Sequence, residues 1–190
     1  SSAASDVYKR QAPTLSLTSK EGIIAQLREQ GHDTVVQVVS VNKEPVAKGA
    51  AAVLAVDDST LTWEIKRLYF VDDAPVALSR YTIPAAMVPD LDQRDLHESI
   101  MEVLAGYNLK PAFTRENLSA ATARMEEQKL LQVSRSHPLL RFVRLLKDET
   151  GRAIAYIEAS LRSDIVNVEV IMGDEPAPEP STSRGAGENT

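Results

Sequence analysis

Two strand-like segments joined by a short turn constrain the fold of this chain more than any other feature. Residues 61–71 and 76–83 are rich in β-branched and aromatic side chains, which favour extended structure. The intervening residues 72–75 have the sequence DDAP, and such residue types favour a chain reversal. The sequence therefore predicts a long β-hairpin in the middle of the chain.

Helical and strand periodicities alternate through the rest of the chain. A second hairpin is predicted from strands at 139–146 and 153–161, which flank a turn at 148–151. The remaining predicted elements are strands at 34–41, 113–120 and 166–172, and helices at 18–31, 45–54, 96–106 and 121–131. Because antiparallel hairpins are mixed with helices, we expect an α+β fold in which helices flank an antiparallel sheet.

One compact domain is expected at residues 13–172. Residues 1–12 are small and polar, and we interpret them as a disordered segment or a remnant of sequence assembly. Residues 173–190 are rich in Pro, Gly, Ser and acidic side chains, so we interpret them as a disordered tail. The hydrophobic residues, 43% of the chain, provide enough apolar surface for one core.

The composition excludes several classes of protein. There is no cysteine, which rules out disulfides and thiolate metal sites and agrees with a cytoplasmic location. No apolar segment reaches the roughly 18 residues of a membrane-spanning helix, and no signal peptide is recognisable. The net charge of −6 disfavours direct contact with DNA, so a role in transcription would require an attached DNA-binding module.

No catalytic signature is recognisable in the sequence. We therefore expect a protein that is not an enzyme and that holds neither a cofactor nor a metal. His32, His97 and His137 are far apart along the chain, and we expect them at the surface or in turns rather than as ligands. Any binding function must come from other residues.

A polar set on the first hairpin is one candidate for a binding site. By the two-residue period of a strand, Arg67 and Tyr69 share a face with apolar neighbours, and Ser79 and Tyr81 share a face of the returning strand. A cation among apolar side chains needs an internal carboxylate or an anionic ligand, and a guanidinium suits either a carboxylate or a phosphate. The alternative is a solvent-exposed arginine on an edge strand beside core tyrosines, and periodicity alone favours this alternative.

The start of the first helix is a second candidate. Thr18 and Glu21 have the spacing of a capping box with Thr18 as the N-cap, and Gly31 is a typical helix stop. Free backbone N–H groups at a helix N-terminus attract anions. Because every helix has such an end, this feature indicates a site only if the fold brings residues 17–19 near Arg67.

Residues 65–84, with the sequence IKRLYFVDDAPVALSRYTIP, carry a resemblance to a known family. They resemble the core of the UTRA domain, the chorismate lyase-like effector domain of GntR-type regulators of the HutC branch. Residues 136–144 (SHPLLRFVR) and the R-x-D element at 162–164 are similar to later elements of that family. The resemblance extends over roughly residues 13–170 in a consistent order.

The resemblance implies a domain that dimerises and binds a small, often anionic metabolite in a cleft between sheet and helices. In such regulators the effector controls DNA binding by an N-terminal winged helix-turn-helix domain. There is no room for that domain before Leu15, so we expect a truncated piece, a gene fragment or a free-standing sensor. By the resemblance, Leu17, Thr18, Ser19 and Arg67 hold the anion.

Several positions differ from the family pattern. Tyr69 replaces a frequent second arginine, Ser79 replaces a frequent glutamate, and Ala155 and Leu161 stand where a glutamate and a tyrosine are common. We therefore expect a pocket that is more apolar than usual, in which tyrosine hydroxyls take part. The expected effector-binding residues are Leu17, Thr18, Ser19, Arg67, Tyr69, Ser79, Tyr81 and Tyr156. Two alternatives remain open: an enzyme related to chorismate lyase, and a dimerisation module whose pocket has decayed.

Overall fold

The computed structural model describes residues 12–17 and 22–173, which form a six-stranded sheet with helices on both faces and a separate pair of strands. The strands are β1 (Thr14–Ser16), β2 (Thr34–Pro45), β3 (Leu61–Val71), β4 (Ala74–Pro84), β5 (Phe113–Thr122), β6 (Pro138–Lys147), β7 (Ala153–Leu161) and β8 (Asn167–Glu169). Six of them form an antiparallel sheet in the order β2-β3-β4-β7-β6-β5, while β1 and β8 form a separate parallel pair. The predicted α+β fold with an antiparallel sheet is therefore confirmed.

The helices are short and divide between the two faces of the sheet. They are α1 (Ile23–Glu29), α2 (Lys48–Leu54), α3 (Ile100–Gly106) and α4 (Met125–Leu130). Helices α1 and α3 pack on the face that carries Ile65 and Tyr69, which we call the inner face. Helices α2 and α4 lie on the outer face, which carries Lys66, Leu68 and Tyr156. Within the described residues, no helix is long and apolar enough to cross a membrane.

The central hairpin forms where the sequence predicts it. Asp72 and Asp73 make the turn between β3 and β4, and both have positive φ angles, 47° and 67°. Two positive φ angles are typical of the hairpin turns that match the twist of the strands, and aspartate tolerates this conformation. The register places Arg67 opposite Ser79 and Tyr69 opposite Ala77, so the polar side chains of the two strands share the inner face.

The first helix begins later than predicted. Helix α1 starts at Ile23 with Gly22 as its N-cap, so the prediction that Thr18 caps this helix was wrong. Thr18 and Glu21 themselves lie outside the described residues. Glycine is an acceptable N-cap because its backbone adopts the extended conformation there without a side-chain contact. Ile24 and Leu27 of this helix are buried.

Two predicted helices are shorter because neighbouring strands extend into them. Strand β2 continues to Pro45, which pairs with Leu61 and so ends a strand instead of opening a helix. This edge position tolerates proline because a ladder hydrogen bond from its nitrogen is not required there. Strand β5 continues to Thr122, which pairs with Pro138, although alanine-rich sequence favours helix. Pairing with a long neighbouring strand outweighs the local helix propensity in both cases.

Two further expectations differ from the structure. Strand β8 is limited to Asn167–Glu169 because its partner β1 has only three residues to offer. His32, expected at the surface, is buried, and its Nδ1 lies 2.9 Å from a carboxylate oxygen of Asp72. This contact joins the end of α1 to the central hairpin, a link that no local pattern indicates.

The turn between β6 and β7 supplies a prediction on pH. Asp148 accepts hydrogen bonds from the hydroxyl and the backbone N–H of Thr150 and from the backbone N–H of Arg152. The bond from the Thr150 hydroxyl is the main reason why the pKa of Asp148 lies below its usual value of 3.8. A carboxylate with a lowered pKa stabilises the fold above its unfolded pKa, and this stability is lost as the pH falls.

We expect Asp148→Asn to unfold at a lower temperature than the unsubstituted protein at neutral pH. The difference should shrink as the pH falls below 3.8, because the carboxylate is then protonated in the unfolded chain and, below its lowered pKa, in the folded chain too. Thermal unfolding followed by circular dichroism across this range measures the effect. A difference that does not change with pH would show that the carboxylate charge of Asp148 contributes nothing.

Candidate functional site

A cavity of about 450 Å³ lies between the inner face of the sheet and helices α1 and α3. Strands β3, β4 and β7 form its floor, and β1, the start of α1 and the start of α3 form its walls. Its lining is mainly apolar, with Leu17, Ile24, Ile100, Met101 and Ile157 among the side chains that face it. The volume lies within the roughly 300–1,000 Å³ of small-molecule sites in proteins.

Arg67 lies in this cavity and is almost completely buried, with 1% of its surface exposed. Its Nη2 donates hydrogen bonds to the backbone carbonyls of His97, at 3.2 Å, and Glu98, at 2.6 Å. Its Nε has no hydrogen-bond partner among the described residues, and no carboxylate of the described chain forms an ion pair with it. The rings of Tyr69 and Tyr81 lie 5.2 and 5.9 Å from the guanidinium carbon and stabilise its charge.

Three hydroxyl groups form a chain beside Arg67. The Ser79 hydroxyl donates to the Tyr69 oxygen at 3.2 Å, and the oxygens of Tyr69 and Tyr81 lie 2.9 Å apart. Burial, followed by the proximity of Tyr81, raises the pKa of Tyr69 far above its usual value of 10.0, so its phenol stays protonated. The three hydroxyl groups carry three protons but make only two hydrogen bonds with one another. One phenolic O–H therefore has no acceptor among the described residues.

An ion pair closes the far wall of the cavity. Arg144 on β6 donates from Nε and Nη2 to the two carboxylate oxygens of Glu116 on β5, each at 3.0 Å. The two residues are register partners in neighbouring strands, which gives the bidentate geometry. Sequence reasoning missed both residues because the pairing register of β5 and β6 cannot be read from either strand alone.

A second contact connects α1 to the segment before α3. Arg28, at the end of α1, forms an ion pair with Glu98 at 3.1 Å, and the backbone carbonyl of Glu98 accepts a bond from Arg67. Both charged side chains of this pair are half exposed, so the pair contributes about 0–1 kcal/mol. Its importance is geometric, because the buried arginine, α1 and the start of α3 meet at one residue.

The structure brings together most of the predicted site residues that it describes. The cavity is lined by Leu17, Arg67, Tyr69, Ser79 and Tyr81. The alternative in which Arg67 is a solvent-exposed edge residue is wrong, since β3 has a neighbouring strand on each side and Arg67 is buried.

Tyr156 is not brought to this cavity. It lies on the outer face, where it packs against the apolar cluster that includes Leu54 of α2. Successive side chains of β7 point to opposite faces of the sheet, so Tyr156 points away from the cavity that Ile157 lines. Thr18 and Ser19 lie outside the described residues, so their expected role stays a prediction.

We expect Tyr69→Phe to lower the free energy of unfolding by about 1–3 kcal/mol. The substitution removes the acceptor of the buried Ser79 hydroxyl and the bond to Tyr81. Tyr156→Phe is the matched control, because that phenol is only partly buried and should change stability by at most about 0.5 kcal/mol. Urea unfolding of both variants measures the effect, and equal losses would argue against an energetic role of the hydroxyl chain.

Comparison with known proteins gives the family. Residues 29–167 match the family model of the UTRA domain. This range of the chain includes the strands that form the floor of the cavity. The chain belongs to the UTRA domain family. A transcriptional regulator from Escherichia coli strain K12, HTH-type transcriptional regulator GgaR, is 28% identical over 127 residues, which are 66% of this chain and 50% of that protein. The chain thus spans about half the length of the curated relatives it matches.

Solved structures show the same fold. PhnF from Mycobacterium smegmatis superimposes with a TM-score of 0.80 at 19% identity, covering 86% of this UTRA domain and 73% of that chain. The effector domain of PhnF superimposes with a TM-score of 0.79 at 20% identity, covering 85% of this chain and 99% of that one. Within the described residues of the UTRA domain, no cluster of His, Asp and Glu side chains could hold a metal ion.

Proposed function

We propose that this UTRA domain is the effector-binding and dimerisation domain of a GntR-type transcription regulator of the HutC branch, and that it works in the cytoplasm. Its effector is a small anionic metabolite, and DNA binding belongs to a winged helix-turn-helix domain of the full-length regulator. The similarity to proteins described as transcriptional regulators supports this proposal, and their greater length leaves room for such a domain.

The observation that carries the proposal is the buried Arg67. Removing a cation from water costs several kcal/mol unless it is paired, and the described residues give this one only carbonyl oxygens and aromatic faces. Its Nε has no partner among them. An anionic ligand in the adjoining cavity would compensate the charge.

The contacts of Arg67 suggest how binding reaches the DNA-binding domain. Arg67 holds the carbonyls of His97 and Glu98, and Glu98 in turn contacts Arg28 on α1. An anion on the guanidinium neutralises part of its charge and so changes how strongly it holds the two carbonyls. We infer that the ligand favours one arrangement of α1 and the start of α3, and that the attached domains follow this population shift.

The two alternative functions have less support. An enzyme related to chorismate lyase needs an acidic group near the leaving group, and Ala155, which stands at a common glutamate position, is fully buried in an apolar cluster. A decayed pocket should be filled by side chains, whereas the UTRA domain has a cavity of about 450 Å³. Release of pyruvate from chorismate by the purified protein would favour the enzyme.

A thermal-shift screen tests the proposal directly. We expect at least one compound among sugar phosphates, carboxylic acids and aromatic metabolites to stabilise the protein, by about 2.7 kcal/mol at 100 times its dissociation constant. Arg67→Ala should abolish the shift. Light scattering measures whether the protein is a dimer. A monomer that no compound stabilises would refute an effector-binding and dimerisation domain.

A further inference from the structure

The charges around the cavity limit the charge of a ligand. The described residues that line it include two cations, Arg67 and Arg144, and three carboxylates, Glu98, Glu102 and Glu116. Arg144 forms a bidentate ion pair with Glu116. Arg67 is therefore the cation of the described lining that lacks a carboxylate partner, and it offers a single positive charge.

Two of the donors that lack an acceptor among the described residues point to the shape of the ligand's charged group. They are the Nε–H of Arg67 and one phenolic O–H of the Tyr69–Tyr81 pair. Because burial keeps the Tyr69 phenol protonated, this pair presents a donor and not a second negative charge. Two neighbouring donors suit the two oxygens of a carboxylate.

The remaining surface of the cavity favours a hydrocarbon body. Side chains such as Leu15, Ile23, Phe142 and Leu161 surround the space beside Arg67 and offer no hydrogen bonds. The hydroxyl groups of a sugar would lose their bonds to water against these side chains, at a cost of about 1–3 kcal/mol for each unpaired group. A methylene group gains about 0.8 kcal/mol from the same burial.

We propose that the cavity selects a monocarboxylate with a hydrocarbon body over a phosphorylated ligand. This inference rests on the proposed function and specifies the class of its effector. A monoanion balances the charge of Arg67, whereas the second charge of a phosphate monoester would find no further cation in the described lining that lacks a carboxylate partner.

Calorimetric titration of the complete chain with matched head groups tests this selection. The probes are octanoate and octanamide, which share a heptyl chain, and octyl phosphate, whose chain is one methylene longer, at about pH 8, where the phosphate is a dianion. Phenylpropanoate distinguishes an aromatic from an aliphatic body. We expect one of the carboxylates to bind more tightly than octanamide and octyl phosphate, by about tenfold to a hundredfold.

Substitution of Arg67 tests whether the carboxylate of the ligand binds at this arginine. Arg67→Met should weaken octanoate by about tenfold or more and octanamide by less, because the amide carries no charge, and circular dichroism shows whether the variant is folded. Arg80→Met is the matched control, since Arg80 lies on the next strand but contacts Glu126 on the outer face. Its octanoate affinity should equal that of the unsubstituted chain.

Four results would overturn the inference, in different ways. If octyl phosphate binds at least as tightly as octanoate, or if Arg67→Met keeps its octanoate affinity, selection of a monocarboxylate by Arg67 is refuted. Binding of a hexose phosphate in place of both carboxylates also refutes it but leaves the effector-binding function intact. Failure of every probe and of every compound in the thermal-shift screen refutes both proposals.

Discussion

Glu127→Ala is expected to lower the free energy of unfolding by about 3–5 kcal/mol. Glu127 is 6% exposed and lies on the side of α4 that faces the sheet. It accepts hydrogen bonds from Arg141 at 2.8 Å, from the hydroxyl of Ser160 at 2.6 Å and from the backbone N–H of Arg124 at 2.6 Å. Its removal leaves the guanidinium of Arg141 beneath α4 without a carboxylate, and an unpaired buried charge is costly.

The neighbouring glutamate is a matched control. Glu126 also accepts from two cations, Lys66 and Arg80, but 43% of its side chain is exposed to solvent. Glu126→Ala should therefore cost only about 0–1 kcal/mol. Urea unfolding of the two variants measures the difference, and equal losses would show that burial does not determine the energetic contribution of these carboxylates.

This prediction also separates the two faces of the sheet. The ion pairs of α4 lie on the outer face, whereas Arg67 and the cavity lie on the inner face. Glu127→Ala should therefore destabilise the protein without changing its affinity for a ligand that binds at Arg67. A combined loss of stability and affinity would indicate coupling through the sheet.

The parts of the fold that follow from local pattern were predictable. The turn at Asp72 and Asp73 and the two-residue period of β3 together place Arg67 and Tyr69 on one face, and the hairpin register adds Ser79. Burial of Arg67 was not predictable from periodicity. It depends on α1 and α3 covering the inner face, and the sequence does not show which face they cover.

Other features depend on contacts between distant segments. Alternation along β7 shows which of its residues share a face with Tyr156. Whether that face is the inner or the outer face of β3 can be decided only from the order of strands in the sheet. The pair of Glu116 and Arg144 requires the register of β5 against β6. Pro45 ends β2 because β3 is long enough to pair with it. The residues next to Pro45 in the sequence give no indication of this pairing.

Leu104→Ala is expected to lower the free energy of unfolding by about 2–5 kcal/mol. Leu104 is 0% exposed, and it fixes α3 against an apolar cluster that contains Ile65 and Ile83 of the inner face. Truncation removes apolar burial and leaves a void that a close-packed core fills only in part. Val103→Ala, one residue earlier and only partly buried, should cost less than half as much and serves as the control.

The same substitution should weaken binding at Arg67. Helix α3 follows directly on the segment whose carbonyls, at His97 and Glu98, hold the guanidinium, and its start forms a wall of the cavity. When α3 packs less firmly, more arrangements of this segment are populated, and the fraction competent to bind falls. We therefore expect Leu104→Ala to lower octanoate affinity, unlike Glu127→Ala. Unchanged affinity in Leu104→Ala would mean that Arg67 is positioned by the sheet alone.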